Sequence, residues 1–179
     1  LNNCDSNATC TNTLGAYSCA CNTGYNGDGQ ACSPKTCDAT GVPNSNYAEN
    51  FVVNYGSPKN VVCNAGYNLV GTPEYRCSEE GVLTGNASCV DINECNDSSS
   101  CSENTTCTNT AGSYTCSCNG GFSTSYSGDV NLPQSVQCTD VNECSDPLLN
   151  NCDSNATCTN TLGAYSCACN TGYNGDGQA

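Results

Sequence analysis

Cysteine occupies 20 of the 179 positions of this chain, and that density limits its possible folds more than any other feature does. Leu, Ile, Val and Phe together supply only 22 residues. These are too few to fill the single hydrophobic core of a globular domain of this length. Closed disulfide loops, each contributing about 3 kcal/mol by restricting the unfolded chain, can hold small modules instead. We therefore expect a small disulfide-rich fold, a linear array of modules built mostly from short β-hairpins.

The cysteine content also indicates the compartment. Disulfides persist in oxidising surroundings, and the chain has no His and no regular array of CxxC pairs, which argues against a metal–thiolate site. We expect an extracellular protein, either secreted or displayed at the cell surface. No apolar run approaches the length of a membrane span, so direct membrane insertion of this segment is not expected.

The charge balance excludes several classes of function. The formal net charge is −14, and Lys35, Lys59 and Arg76 are the only cationic residues. Binding to nucleic acid or to an anionic membrane is therefore not expected, and divalent cations are the expected small partners. Most carboxylates are expected only to solvate the surface. Without His, and with nearly every Cys committed to disulfides, no nucleophile and base can be paired, so we predict no catalytic residue and no enzyme.

The chain contains a long internal repeat. Residues 1–31 recur without a change at 149–179, a period of 148 residues. Both copies are cut inside the same module. We interpret the chain as a window from a longer tandem array, such as a fibre, that continues head to tail in the same repeat. A recent duplication inside an ordinary receptor would give the same identity.

Between the cysteines, Gly, Asn, Ser and Thr dominate, interrupted by β-prone runs such as SYTC and EYRC. The serine-rich segments 98–100 and 123–127 are predicted loops, as is the long stretch from Cys118 to Cys138.

Six cysteines between residues 95 and 138, with a CSC pair followed by NGGF, resemble the EGF-like family. The same pattern begins again at Cys144, and residues 1–32 carry part of it. Six cysteines allow 15 connectivities, and the resemblance implies one of them: first with third, second with fourth, fifth with sixth. It implies the pairs Cys95–Cys107, Cys101–Cys116, Cys118–Cys138, Cys144–Cys158, Cys152–Cys167, Cys4–Cys19 and Cys21–Cys32. By the same pattern, Cys10 would bond upstream and Cys169 would bond just beyond Ala179.

The motifs DINEC at 91–95 and DVNEC at 140–144, each followed by CTNTxGxYxC, resemble the calcium-binding subset of this family. Calcium takes six to eight oxygen ligands, which carboxylates, amides and backbone carbonyls supply. The resemblance implies a first site of Asp91, Glu94 and Asn109 side chains with carbonyls of Ile92, Thr110 and Ser113. It implies a second site of Asp140, Glu143 and Asn160 side chains with carbonyls of Val141, Thr161 and Ala164.

Asn12, Thr13 and Ala16 would form half of an equivalent calcium site. The alternative is that an Asp-x-Asn-Glu turn is ordinary loop chemistry. Only Val90 separates Cys89 from Asp91, and only Thr139 separates Cys138 from Asp140. Each site therefore falls at a junction between modules, where calcium would act as a hinge lock.

Residues 37–89 follow a different pattern. Four cysteines, with NYGSPKNVVC, CNAGY and YRC, resemble a sushi (complement control) module, which implies the pairs Cys37–Cys77 and Cys63–Cys89. The family's usual Trp near the end is absent, with Leu83 in that region, and so is the Pro before the last Cys; both absences favour a looser core. The predicted modules are 1–32 (EGF-like), 37–89 (sushi-like), 91–138 and 140–179 (both calcium-binding EGF-like).

The sequence also carries candidate glycosylation sites. Asn7, Asn86, Asn96, Asn104 and Asn155 begin N-x-Ser/Thr sequons. Thr9, Thr106 and Thr157 lie in a C-x4-T-C context that resembles the O-fucose acceptor of the EGF family. The same Thr completes the sequon at Asn7, Asn104 or Asn155, so the two modifications would compete.

Two functions fit these features. The first is a subunit of a glycosylated extracellular filament or stalk whose stiffness depends on calcium and disulfides. The second is the ectodomain of an adhesion or scavenger receptor that presents a ligand-binding face.

Overall fold

The structure is a computed structural model that describes residues 3–179, in two units: Leu1–Ile92 and Asn93–Ala179. In the described part of the chain, every sheet is antiparallel, and helix is limited to three single 3₁₀ turns. The expected disulfide-rich fold of short β-hairpins is therefore confirmed.

The first unit begins with two small hairpins and continues with a four-cysteine segment of three sheets. In the first part, strand β1 pairs with β2, and β3 with β4. In the second part, β5 pairs with β6, β11 with β8, and β9 lies between β7 and β10. The strands are β1 Ala8–Thr13, β2 Ala16–Cys21, β3 Tyr25–Gly27, β4 Cys32–Pro34, β5 Thr36–Ala39, β6 Phe51–Asn54, β7 Lys59–Asn60, β8 Tyr67–Val70, β9 Glu74–Cys77, β10 Leu83–Thr84 and β11 Ser88–Asp91.

The second unit contains three hairpins and the 3₁₀ turns Glu94–Asn96, Pro133–Ser135 and Glu143–Ser145. Strand β12 pairs with β13, β14 with β15, and β16 with β17. The strands are β12 Thr105–Thr110, β13 Ser113–Cys118, β14 Phe122–Tyr126, β15 Val136–Asp140, β16 Ala156–Thr161 and β17 Ala164–Cys169.

Nine disulfides staple the described residues. One or two bonds tie each EGF-like hairpin to the segment before it, and a further bond closes the loop that follows the hairpin where both sulfurs are present. The bonds are Cys4–Cys19, Cys21–Cys32, Cys37–Cys77, Cys63–Cys89, Cys95–Cys107, Cys101–Cys116, Cys118–Cys138, Cys144–Cys158 and Cys152–Cys167. Cys169 carries a free thiol in this structure.

The serine-rich segment after Cys118 forms the strand Phe122–Tyr126, so the loop predicted for residues 123–126 was wrong, whereas residues 127–132 are turns and bends as predicted. Residues of β14 pair with β15, with Ser123 opposite Thr139 and Ser125 opposite Gln137. The Ser123 and Thr139 hydroxyl oxygens lie 2.8 Å apart in a hydrogen bond across the strands. Partners 12 to 16 residues away, which local composition does not reveal, therefore override the weak strand propensity of serine.

A small apolar core lies in the four-cysteine segment, where burial contributes more than the composition suggested. Val53 is fully buried in a cluster that includes residues of β5 and β9 and Val61, which follows β7. The ring centroids of Tyr47 and Phe51 are 4.5 Å apart, and those of Phe51 and Tyr75 are 5.3 Å apart in an edge-to-face arrangement. Leu83 packs against this cluster. Aromatic rings thus fill the interior of a segment that lacks Trp.

The second unit holds almost no apolar interior. Of its described hydrophobic residues only Val136 is buried, together with the polar Ser135 and Glu143. Its hairpins are therefore held by disulfides and by backbone and side-chain hydrogen bonds rather than by hydrophobic burial.

Replacing Val53 with Ala is expected to lower the free energy of unfolding of the four-cysteine segment by about 2 kcal/mol, because it opens a cavity in a full core. The neighbouring change Val52→Ala is the control, because Val52 is 45% exposed; it should cost under about 0.5 kcal/mol. Urea denaturation followed through the amide NMR signals of β9 measures both. Equal losses for the two variants would contradict this account of the core.

Candidate metal centre

Two of the predicted ligand residues of the second site, Asp140 and Asn160, contact each other in the second unit, and a third, Glu143, lies nearby in sequence. Asp140 ends β15, Glu143 opens a 3₁₀ turn three residues later, and Asn160 lies in β16 opposite Tyr165. Both carboxylate oxygens of Asp140 accept hydrogen bonds from the next hairpin. The backbone N–H of Gly163 donates to Oδ1 at 2.6 Å, and Nδ2 of Asn160 donates to Oδ2 at 2.7 Å.

These hydrogen bonds lower the pKa of Asp140 and orient the side-chain amide of Asn160, and both effects favour a bound cation. The Gly163 N–H and then the Asn160 amide hold the pKa of the Asp140 carboxyl below its ordinary value, so that this carboxylate stays ionised to a lower pH than a free aspartate does. Because the amide nitrogen of Asn160 faces Asp140, its oxygen Oδ1 turns away from that carboxylate. This Oδ1 is buried and accepts no hydrogen bond.

Glu143 contributes a second buried oxygen. Its side chain is 7% exposed, and Oε2 has no hydrogen-bond donor. A buried carboxylate oxygen without a donor or a cation is costly. Residues 93–179 contain no Lys or Arg that could pair with it. A hard cation that prefers oxygen ligands, such as calcium, suits these atoms.

Hydrogen bonds from side chains to backbone atoms hold the Glu143 turn in place. Asn142 caps it by accepting the Cys144 N–H at Oδ1, 3.1 Å away. Asn150 donates from Nδ2 to the Glu143 carbonyl at 2.8 Å. In the preceding module, Ser100 donates its hydroxyl to the equivalent Glu94 carbonyl at 2.6 Å. Sequence analysis missed Asn150 and Ser100, because different residue types perform the same task.

The predicted carbonyl ligands lie at the ends of these elements. Thr161 and Ala164 are the closing pair of the β16–β17 hairpin, and the Thr161 hydroxyl donates to the Ala164 carbonyl at 2.8 Å. The Val141 N–H donates to the Gly121 carbonyl at 2.9 Å, which joins this segment to the turn before β14.

The residues predicted for the first site lie in both units. In the second unit, Glu94 opens a 3₁₀ turn with its Oε2 buried and without a donor, as in Glu143. Asn109 lies in β12, and Thr110 and Ser113 close its hairpin. In the first unit, Asp91 ends β11 opposite Tyr67, and the Ile92 N–H donates to the Gly66 carbonyl at 2.9 Å.

The duplicated sequence provides an internal comparison. Asn12 occupies the position of Asn160 in an identical hairpin, yet Asn12 is exposed, whereas Asn160 is half-buried. Gly15 corresponds to Gly163, and the space around its Cα is open. The burial of the Asn160 side chain therefore comes from the preceding segment and not from the hairpin itself.

Gly163 also carries the packing between consecutive modules. Its φ of +74° is in the left-handed region, and a Cβ there would lie 2.7 Å from the ring of Phe122. Its carbonyl oxygen lies against Gly121. The glycine that donates to Asp140 is thus also the surface on which Phe122 packs. The glycine at this position in all three hairpins, at 15, 112 and 163, is the sequence feature that could have revealed it.

Carboxylates alone do not build these sites. Among residues 3–179, no group of three or more His, Cys, Asp or Glu side chains is placed to hold a metal ion. A metal here therefore depends on amide and carbonyl oxygens as well.

Comparison with known proteins agrees with this geometry. A sequence model of the calcium-binding EGF domain matches residues 91–138 and 140–179, and an EGF-domain model matches residues 1–32. The chain contains tandem EGF domains. The two domains of the calcium-binding class bind calcium.

Several curated proteins are similar to this EGF-domain chain. Mouse "sushi, von Willebrand factor type A, EGF and pentraxin domain-containing protein 1" is 35% identical over 79 residues, which are 44% of this chain and 2% of that protein. Human fibulin-7 is 27% identical over 175 residues, 92% of this chain and 35% of fibulin-7. Rat adhesion G protein-coupled receptor E2 is 34% identical over 120 residues, 60% of this chain and 13% of the receptor.

This chain thus spans a small part of each relative. The relatives are extracellular matrix and adhesion proteins, and the protein is extracellular. None of the helical segments in residues 3–179 is long and apolar enough to cross a membrane.

Replacing Asn160 with Ala is expected to weaken calcium binding at the second site on the order of tenfold, because it removes the buried oxygen that the sequence predicts to be a ligand. In the 179-residue chain, which holds only half of the equivalent site at Asn12, Asn12→Ala is the matched control: the same residue in the same local sequence, but exposed. Isothermal titration of calcium into each variant measures the change. Equal effects of the two substitutions would remove Asn160 from the ligand set.

Gly163→Ala and Gly15→Ala both place a side chain at positive φ, +74° and +77°, so their backbone costs should match. Only Gly163→Ala also meets the Phe122 ring. We expect it to destabilise the chain by a further 1 to 3 kcal/mol or so, the usual cost of overpacking. Hydrogen exchange of the β16 and β1 amides measures the local stability of each hairpin. Equal protection losses in the two copies would show that Phe122 contributes nothing.

Proposed function

We propose that this protein is a structural subunit of a glycosylated extracellular filament or stalk, built from tandem repeats and stiffened by calcium at its module junctions. The observation that carries the proposal is the position of Asp140. It ends a strand that begins in the module 91–138 and crosses into the module 140–179, and its two carboxylate oxygens accept hydrogen bonds from the hairpin of that second module. A cation held there restrains the angle between consecutive modules.

The ligands that we propose are the two sets predicted from the sequence motifs. In the second site, the supporting features are the buried oxygens of Glu143 and Asn160 and the ionised Asp140. In the first, they are Glu94, whose Oε2 is buried without a donor, and the motif residues Asp91 and Asn109.

Calcium is proposed to set stiffness rather than to fold the modules. At ~1 mM free calcium and a dissociation constant near ~0.1 mM, linkage adds about 1.4 kcal/mol to the bound conformation. This free energy is enough to favour one angle between two consecutive modules. It is smaller than the contribution of the two or three disulfides that hold each module.

The four-cysteine segment 37–89 is proposed to be a sushi module between the EGF domains. The bonds Cys37–Cys77 and Cys63–Cys89 link first with third and second with fourth, as that resemblance implies. The proposed order is thus EGF-like (1–32), sushi-like (37–89) and two calcium-binding EGF-like modules (91–138 and 140–179).

A glycan coat is proposed from the sequons. Asn86 and Asn96 are exposed, and Asn7, Asn104 and Asn155 are half-buried. Nδ2 of Asn155, the atom that a glycan would join, donates to Asp153 Oδ1 at 3.1 Å. The candidate O-linked positions Thr9, Thr106 and Thr157 are exposed, and each hydroxyl donates at 2.7 Å to the Asn that follows the CxC pair of its module.

Self-association follows from the repeat. Exact recurrence of residues 1–31 at 149–179 supports head-to-tail continuation or assembly of identical units.

An adhesion or scavenger receptor ectodomain is the second candidate. It is favoured by a surface cleft of about 430 Å³ in the four-cysteine segment, lined among others by Tyr55, Pro58 and Arg76.

Electron microscopy of the purified full-length protein tests the filament. Regular fibrils or long strings are expected, because identical repeats continue the same junctions; short monomeric rods would instead support the receptor.

Enzymatic removal of N-glycans, followed by mass spectrometry, tests the coat at Asn86 and Asn96.

Calcium removal tests the stiffening. A chelator is expected to leave the disulfide-bonded modules folded while the particles bend or shorten, as measured by small-angle X-ray scattering and by contour tracing. A persistence length that is the same with calcium and with chelator would contradict calcium stiffening, whatever the assembly state.

A further inference from the structure

We infer that the protein has two classes of junction, and that the one between the first EGF domain and the four-cysteine segment is locked without a metal. This inference rests on the proposed function, because it concerns which junctions calcium controls. The interacting surface on the EGF side consists of Gly24 and Tyr25, and its partner is Tyr55 of the four-cysteine segment.

The linker residue Lys35 is bonded to both sides of this junction. Its backbone N–H donates to the Gly24 carbonyl at 2.8 Å, and its carbonyl accepts the Tyr55 N–H at 2.8 Å. Its side-chain Nζ donates to the Glu79 carbonyl at 2.6 Å. A single linker residue therefore continues the hydrogen bonding of one module into the next.

An aromatic contact covers these bonds. The Tyr25 and Tyr55 rings meet edge to face, with centroids 5.7 Å apart. Tyr55 also lies directly over Gly24, which is buried and has a φ of +88°, so closely that a Cβ at Gly24 would collide with the ring. The close fit requires a glycine under the tyrosine.

The second copy of the same sequence shows the surface without this partner. Gly172 and Tyr173 correspond to Gly24 and Tyr25. The space around Gly172 is open, and Tyr173 is 55% exposed. The EGF hairpin does not bury this surface by itself. The neighbouring four-cysteine segment does so in the first copy.

Among the described residues of this junction, no buried side-chain oxygen lacks a hydrogen-bond donor, so none needs a cation. Within residues 3–179, every buried side-chain oxygen without a hydrogen-bond donor lies in the second unit. The carboxylate of Asp28, in the loop closed by Cys21–Cys32, already has hydrogen-bond donors: its Oδ1 accepts the N–H groups of Gln30 and Ala31 at 2.9 Å. Backbone hydrogen bonds and an aromatic pair, neither of which a chelator removes, carry the junction.

The test is to measure distances across two junctions of the full-length chain. Spin labels on non-natural amino acids, which avoid disulfide exchange, are placed at exposed positions 18 and 82 for this junction and 117 and 166 for the Asp140 junction. Double electron–electron resonance is recorded in calcium and in chelator. We expect the 18–82 distribution to stay narrow in both and the 117–166 distribution to broaden in chelator.

The two proposals fail separately in this experiment. Broadening of the 18–82 distribution in chelator overturns the metal-independent lock. An unchanged 117–166 distribution overturns calcium control of the Asp140 junction and leaves the lock standing.

Substitutions test the aromatic contact itself. Tyr55→Ala is expected to broaden the 18–82 distribution in calcium and leave 117–166 unchanged. Gly24→Ala should do the same by displacing the ring, whereas the control Gly128→Ala, at a similar φ of +98° but with open space around it, should not. Disulfide mapping of each variant confirms that its modules are folded. A narrow 18–82 distribution in both Tyr55→Ala and Gly24→Ala would overturn the inference.

Discussion

Closure of short loops by disulfide bonds is the constraint on which the rest of this structure depends. In the second unit, hydrophobic burial is almost absent, and the hairpins keep their register because sulfur bridges join them to the preceding segment. Such bonds restrict the unfolded chain and do not require a filled interior. They leave the surfaces of each small module available for contacts with its neighbours, and these contacts distinguish one junction from another.

The junctions use two kinds of chemistry. Where Asp140 joins two EGF domains, its carboxylate accepts hydrogen bonds from Asn160 and Gly163, Glu143 and Asn160 each carry a buried oxygen without a donor, and Phe122 packs on Gly163. Where Lys35 joins an EGF domain to the four-cysteine segment, backbone hydrogen bonds and a tyrosine pair replace that arrangement. A filament of such repeats would respond to calcium at some joints and keep a fixed angle at others.

Much of the fold was predictable, because cysteine count, turn residues and short β-prone runs act locally. The short hairpins, the extracellular location and the calcium-binding class followed from these features and from the motifs DINEC and DVNEC. The strand at Phe122–Tyr126 was not predicted, because its serines pair with a segment beyond the local window. The apolar core around Val53 was also underestimated, because total composition hides a local concentration of aromatic residues.

The sequence by itself determined the modules: which cysteines can close small loops, where glycines permit the hairpin turns, and which residues carry oxygens for a cation. Only the tertiary structure decided the environment of each copy. Residues 12, 15, 24 and 25 have the same neighbours in sequence as residues 160, 163, 172 and 173, yet one copy of each is covered and the other is open. The physical reason is that burial and hydrogen bonding at these surfaces come from the adjoining module, which the repeated segment does not encode.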